Sequence, residues 1–170
     1  MIIVAFDPGK RTSWAKFDTR TPQHIDVGDV DRAGIGRLTR PCAVHIKDLI
    51  RDADLVIVED VSPHPKEGVV SVATFALAFG GILAAVQGAE KPLRTVTPKQ
   101  WSVVLRLKST DSKEEKKRAA LAYVKELWPE TRSQLTLAEH HNRADAALMI
   151  KWFVERGPGK DVADESGDSA

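Results

Sequence analysis

Two short apolar runs in this chain each end in a carboxylate, and that pairing constrains the fold more than any other feature. Ile2-Ile3-Val4-Ala5-Phe6 leads straight into Asp7, and Leu55-Val56-Ile57-Val58 leads straight into Glu59. Apolar runs this short, rich in β-branched residues, read as buried strands. An acid directly after such a strand lies at its carboxyl end, where open sheets gather ligands. If the two strands are neighbours, both carboxylates project from one edge. A third acid, Asp145, falls early in the last helical stretch among Ala144, Ala146 and Ala147. A lone buried carboxylate is costly, and a bound cation removes that cost. A solvated strand end or a helix N-terminal carboxylate explains any one of these acids alone; the three together point to a site.

The rest of the chain supplies a frame for them. Residues 12–18 and 24–30 read as strands that continue from residues 2–7 as a meander. Helical spacing over 38–52 follows, then a strand over 54–60 and a strongly apolar helix over 69–88. A strand at 93–97 is stopped by Pro98, and helical stretches follow at 98–105, 112–127 and 138–155. Three hairpin-linked strands followed by alternating strand and helix predict a mixed sheet with helices on its faces. One domain is expected over 1–156, with an acidic, disordered tail over 157–170. The single cysteine, Cys42, excludes an internal disulfide and a cysteine-rich zinc site. The first residues lack the basic start of a signal peptide, and no apolar run is read as membrane-spanning, so no membrane partner and a cytoplasmic location are expected.

Three hard oxygen donors from separate elements suit Mg²⁺, with Mn²⁺ able to substitute. Two such ions per site would act together in displacement at phosphorus. The net charge of +1 is uninformative, but residues 91–118 hold nine lysines and arginines against three acids. That local excess is able to track a phosphate backbone. Asp7-Pro8-Gly9 also resembles the phosphate hairpin of actin-like ATPases. Those need two lobes and a longer chain than 170 residues, so no nucleotide cofactor is expected.

Taken as a set, the motifs resemble the RuvC-like resolvases of the RNase H-like superfamily, and in particular their phage-type branch. Phe6-Asp7-Pro8-Gly9, Val56-Ile57-Val58-Glu59 and Asn142-Arg143-Ala144-Asp145-Ala146-Ala147-Leu148 are similar to the three acidic motifs of that family. Pro65-Lys66-Glu67-Gly68-Val69 with Phe79-Gly80-Gly81, and Val96-Thr97-Pro98-Lys99-Gln100-Trp101, are similar to two further segments. The resemblance implies an RNase H-like mixed five-stranded sheet flanked by helices. It implies an endonuclease that resolves four-way (Holliday) DNA junctions by symmetric hydrolysis, leaving 5′ phosphate and 3′ hydroxyl ends. It also implies two divalent ions per site and a homodimer formed through the helix near 69–88. A nucleoid-associated protein, or a phage protein in its host's cytoplasm, fits equally.

By that resemblance Asp7, Glu59 and Asp145 are metal ligands. The family's fourth ligand, three residues before the last Asp, is here Asn142. Asn142 is expected as a weak carbonyl ligand or an N-terminal cap. His141, four residues before Asp145, is expected as ligand, general base or cap, and His140 is a further substitute. Lys66, Lys99, Lys108, Lys113 and Lys116 are assigned to DNA, with Lys99 and Lys113 nearest the scissile phosphate. Cellular RuvC proteins place an aromatic wedge where this chain has Ser62, which leaves His64 or Phe75 to stack at the junction. Core packing is the ordinary role for Trp14, Trp101, Trp128 and Trp152, with base stacking open to Trp14. Two other readings stay open. One is a nuclease of broader branched-DNA or RNA–DNA hybrid specificity. The other is a catalytically weak junction-binding protein, for which Asn142 is the only support.

Overall fold

The computed structural model describes residues 1–9, 11–35, 38–60, 68–106 and 112–157. Its centre is β1 (Ile2–Asp7), which pairs antiparallel with β2 (Ser13–Asp18) and parallel with β6 (Leu55–Glu59). With β3 (Ile25–Asp29) and β7 (Leu93–Val96) the sheet order is β3-β2-β1-β6-β7, a five-stranded mixed sheet. Both strands that end in an acid are therefore central and adjacent, as their unbroken apolar character demands.

Strand alternation divides the core in two. Ile3 and Ala5 of β1 and Ile57 of β6 pack with α4 (Lys113–Leu127) and α5 (His141–Arg156) on one face. Val4 and Phe6 of β1 with Val56 and Val58 of β6 pack with α1 (Ala43–Ile50) and α2 (Val69–Gly88) on the other. Parity then fixes the acids. Asp7 continues the Ile3–Ala5 series and Glu59 the Leu55–Ile57 series, so both side chains emerge on the face that carries α5. In α5, Ala144, Ala146 and Ala147 are fully buried. Their small side chains let the helix lie close across β1, β2 and β3.

Two expectations are corrected. Residues 38–52 are not one helix: β4 (Arg32–Ile35) and β5 (Leu38–Pro41) form a hairpin, and α1 begins only at Ala43. Proline closes β5 because it cannot extend the ladder. The expectation that no apolar run reaches membrane-spanning length also fails. The 20 residues of α2 carry no charged side chain and reach a mean hydropathy of 2.3 over their most apolar window, by length and composition enough to cross a membrane. Ser71, Thr74, Gly80 and Gly81 interrupt that run to the eye without adding charge. Only Ala78, Ile82, Ala85 and Val86 of α2 are buried, and Val69 and Val70 are 84% and 80% exposed.

Trp14 is partly buried and takes a packing role. Its ring lies so close over Gly28 that a Cβ there would sit 2.9 Å from it, and it packs against the Phe6 side of the core.

Candidate nuclease site

The β1–β6 register pairs Phe6 with Val58, so Asp7 and Glu59 come next to each other at the top of the sheet. Both are almost fully buried, at 8% and 7% exposure. The two carboxyl groups are close enough for each to perturb the other's ionisation. Burial first, and then the charges of Glu59 and Asp145, push the Asp7 carboxyl far above the ordinary carboxylate range. Burial also raises Glu59, against the stabilising N–H of Trp101. Asp145, delivered by the second turn of α5, is pushed up to about 8 by burial and by Glu59, with Lys117 pulling the other way. Two carboxyl groups at one sheet edge and a third from α5, each with its ionisation opposed, form an arrangement that a divalent cation would stabilise.

The three acids line one cavity of about 860 Å³, together with His141, Asn142, Lys99, Lys113 and Lys116. Trp101, Ser102, Arg106 and Lys117 complete its polar and aromatic wall. Among the described residues, no group of three or more His, Cys, Asp or Glu is gathered tightly enough to hold one ion in this arrangement. The donor set nevertheless fits a hard divalent cation, because a cation would offset the burial and the mutual repulsion that oppose ionisation of these carboxyls. A cation bound there would favour the ionised carboxylates and so displace protons from them.

Two local structures set the rim. Ser112 and Glu115 form a reciprocal cap at the start of α4, with Ser112 N–H donating to Glu115 at 2.7 Å and Glu115 N–H to Ser112 at 3.2 Å. Lys113, Lys116 and Lys117 thus occupy the first turns of a helix, where the macrodipole disfavours cations. Opposite them, the Thr97–Gln100 cap and Pro98 fix the short helix α3 (Pro98–Trp101), which presents Lys99 outward and Trp101 inward.

His141 opens α5, and its Nδ1 lies 3.0 Å from the Ala138 carbonyl oxygen. A carbonyl only accepts, so Nδ1 carries the proton and Nε2 a lone pair. Burial and the nearby Lys117 and Lys113 charges lower the His141 pKa, which keeps the ring neutral. Asn142 lies inside the helix rather than at its cap, since His140 is the residue that precedes the first turn, which corrects the capping reading. Its amide donates to the Arg11 carbonyl at 3.5 Å. His140 turns away from the cavity and accepts the Leu137 N–H at 3.3 Å.

Phe75 lies on α2, stacked on Phe79 at 5.8 Å, and does not line the cavity. His64, Lys66 and Lys108 lie outside the described residues. Trp101 is the residue that sequence reasoning left among the packing tryptophans. Its signal was its place three residues after Pro98, one turn into a capped helix that follows a strand at the acidic edge.

A five-stranded mixed sheet in this order, with carboxylates at the ends of β1 and β6 and a third on α5, has the RNase H-like fold. Within that class the chain is similar to two solved structures of RuvC from Thermus thermophilus. Against RuvC in complex with a Holliday junction substrate the TM-score is 0.56, with 16% identity over 92% of this chain and 96% of that one. Against a second Thermus thermophilus RuvC structure it is 0.53, with the same identity and coverage. The likeness is one of fold. No protein-family model and no curated protein sequence matches the chain.

Proposed function

We propose that this protein is a metal-dependent endonuclease that resolves four-way DNA junctions as a homodimer. One observation carries the reading. Asp7, Glu59 and Asp145 meet in a single cavity rimmed by Lys99, Lys113 and Lys116, within a fold shared with a RuvC in complex with a Holliday junction substrate.

Asp7, Glu59 and Asp145 would hold two Mg²⁺ ions, with the Asn142 amide oxygen as a neutral donor at the edge. When bound, the ions supply an activated water and charge stabilisation at the leaving oxygen. The residues of the chain do the rest. Lys113 and Lys116 hold the phosphate from the α4 side and Lys99 from the α3 side, so the scissile group sits between two basic walls. His141, neutral with a lone pair at Nε2, accepts the proton that the attacking water gives up. The buried floor beneath the carboxylates excludes bulk water and strengthens these interactions. A homodimer presents two such sites to two strands of a symmetric junction.

The test is cleavage of a labelled four-way junction beside linear duplex and RNA–DNA hybrid, in Mg²⁺, Mn²⁺ or EDTA, with wild type and Asp7→Asn. Paired symmetric nicks, lost in EDTA and in the variant while junction binding persists, are expected. Equal cleavage of hybrid or of every substrate would replace junction resolution with a broader nuclease activity. Tight junction binding without cleavage in either metal would make the protein a binder.

A further inference from the structure

The buried indole of Trp101 donates its N–H to Glu59 Oε1 at 2.8 Å. Trp101 is 6% exposed and Glu59 7%, so water has little access to this bond. The indole cannot easily move away. Its helix is held at its start by Pro98 and by the Thr97–Gln100 cap, in which Thr97 N–H donates to Gln100 Oε1 at 2.8 Å. The ring belongs to the same buried cluster as Ile57, Val96 and Leu148. Trp101 therefore occupies one of the two Glu59 oxygens with a fixed, uncharged donor.

We infer that Trp101 is a positioning residue that sets which divalent cation this centre accepts, favouring Mg²⁺ over Ca²⁺ by restricting Glu59 to one-oxygen ligation. The inference rests on reading Asp7, Glu59 and Asp145 as a cation site. The chemistry is that of coordination number. Ca²⁺ takes roughly six to eight oxygens and readily accepts both oxygens of one carboxylate, whereas Mg²⁺ demands near-ideal octahedral geometry at about 2.0–2.1 Å. A Glu59 that has one oxygen tied to an indole N–H offers the second as a single, aimed donor, which suits the small ion. Offering both to one large ion would make the Trp101 N–H share Oε1 with the cation, which weakens a buried hydrogen bond and disfavours that mode.

The test uses isothermal titration calorimetry of the full chain with MgCl₂, MnCl₂ or CaCl₂ alone, so that no cleavage assay enters. Wild type is compared with Trp101→Phe and with Trp101 replaced by β-(3-benzothienyl)alanine. The second replacement keeps the ring's shape and substitutes sulfur for the N–H, so a folding defect of the phenylalanine variant leaves the comparison intact. Residues that orient a ligand typically change metal affinity by about 10–100-fold when altered. The ratio of Mg²⁺ to Ca²⁺ affinity is expected to fall about tenfold or more in both variants. A ratio within about twofold of wild type in the benzothienyl variant overturns the inference and leaves the cation site standing. Wild type that binds none of the three ions overturns the cation site itself, and the inference with it.

Discussion

Arg143 grips Asp29 at two points, Nε to Oδ1 at 3.0 Å and Nη2 to Oδ2 at 2.7 Å, two residues before Asp145 in α5. Ser13 donates to the same carboxylate at 2.8 Å, and Arg143 Nη1 reaches the Gln134 carbonyl at 2.6 Å. The arginine thus ties the first turn of α5 to β3 and to the segment before it, and so fixes where Asp145 enters the cavity.

Arg143→Ala is expected to lower unfolding stability by about 1.5–3 kcal/mol, the range for hydrogen bonds to charged, partly buried groups. Arg143→Lys should recover less than half, because a lysine has no fork to match the carboxylate. The Arg143 and Ser13 hydrogen bonds hold Asp29 below the usual carboxylate range. That contribution is full above the unfolded pKa, near 4, and is lost as pH falls through the folded value. Urea titrations at pH 7 and pH 3 check both points. Equal stability of wild type and Arg143→Ala at pH 7 would show that the bridge contributes nothing to the fold.

The acids of the cavity work in the opposite sense. Asp7, Glu59 and Asp145 all have raised pKa values, Asp145 to about 8. Between the unfolded values, about 4, and these, the folded chain binds more protons than the unfolded chain, so stability falls as pH rises. In EDTA the melting temperature should therefore drop from pH 5 to pH 8, and Mg²⁺ should restore it at pH 8. Asp145→Asn removes one buried charge and should exceed wild type in EDTA at pH 8 by at least about 1 kcal/mol. A flat thermal profile between those pH values in EDTA would contradict it.

The sequence already contained more of this site than its motifs alone convey. Strand parity places Asp7 with Ile3 and Ala5, and Glu59 with Leu55 and Ile57, hence both acids on one face once the strands are adjacent. Adjacency itself was the missing piece, since parallel pairing of β1 with β6 is decided by the packing of helices between them and not by either strand's residues. The β4–β5 hairpin was hidden because Leu38, Cys42 and Ile46 mimic helical spacing across Pro41. Trp101 was hidden for a different reason. A tryptophan's pattern in sequence is apolar, and only the fold shows that its single donor ends on Glu59. Spacing from Asp145 already favoured His141 over His140; the start of α5 at His141 separates them, one facing Leu137 and the other the cavity.

The lysines on the first turns of α4 carry a cost that binding to DNA would offset. Lys113 and Lys116 sit at a helix N-terminus beside Lys117, on the cavity wall. Each phosphate deprived of its lysine should flatten the slope of log affinity against log salt by about 0.9 on duplex arms. Lys113→Ala/Lys116→Ala should therefore weaken junction binding most at low salt and reduce that slope by about 1.8 if both touch phosphate. Lys125→Ala, in the last turn of the same helix, serves as the control. Fluorescence anisotropy in EDTA over a range of KCl concentrations measures it. Parallel salt lines for wild type and the double variant would place both lysines off the DNA.

Helix α2 leaves Val69, Val70 and Leu77 exposed on a helix with no charged residue. Exposed apolar side chains of that kind are costly in water, and the proposed homodimer would cover them. On that proposal a second copy of the chain would give a symmetric junction two sites, and a two-fold axis along α2 would bury the same residues from both copies. Leu77→Asp places two like charges across that axis. It is expected to shift sedimentation from dimer to monomer at micromolar concentration, with the pH-dependent stability of the cavity unchanged. Cleavage by the monomer should then yield single nicks in place of paired ones, because each centre is complete within one chain. Wild type that sediments as a monomer at every concentration tested, yet makes paired nicks, would move the symmetry of cutting away from α2. Leu77→Asp that stays dimeric would move only the interface.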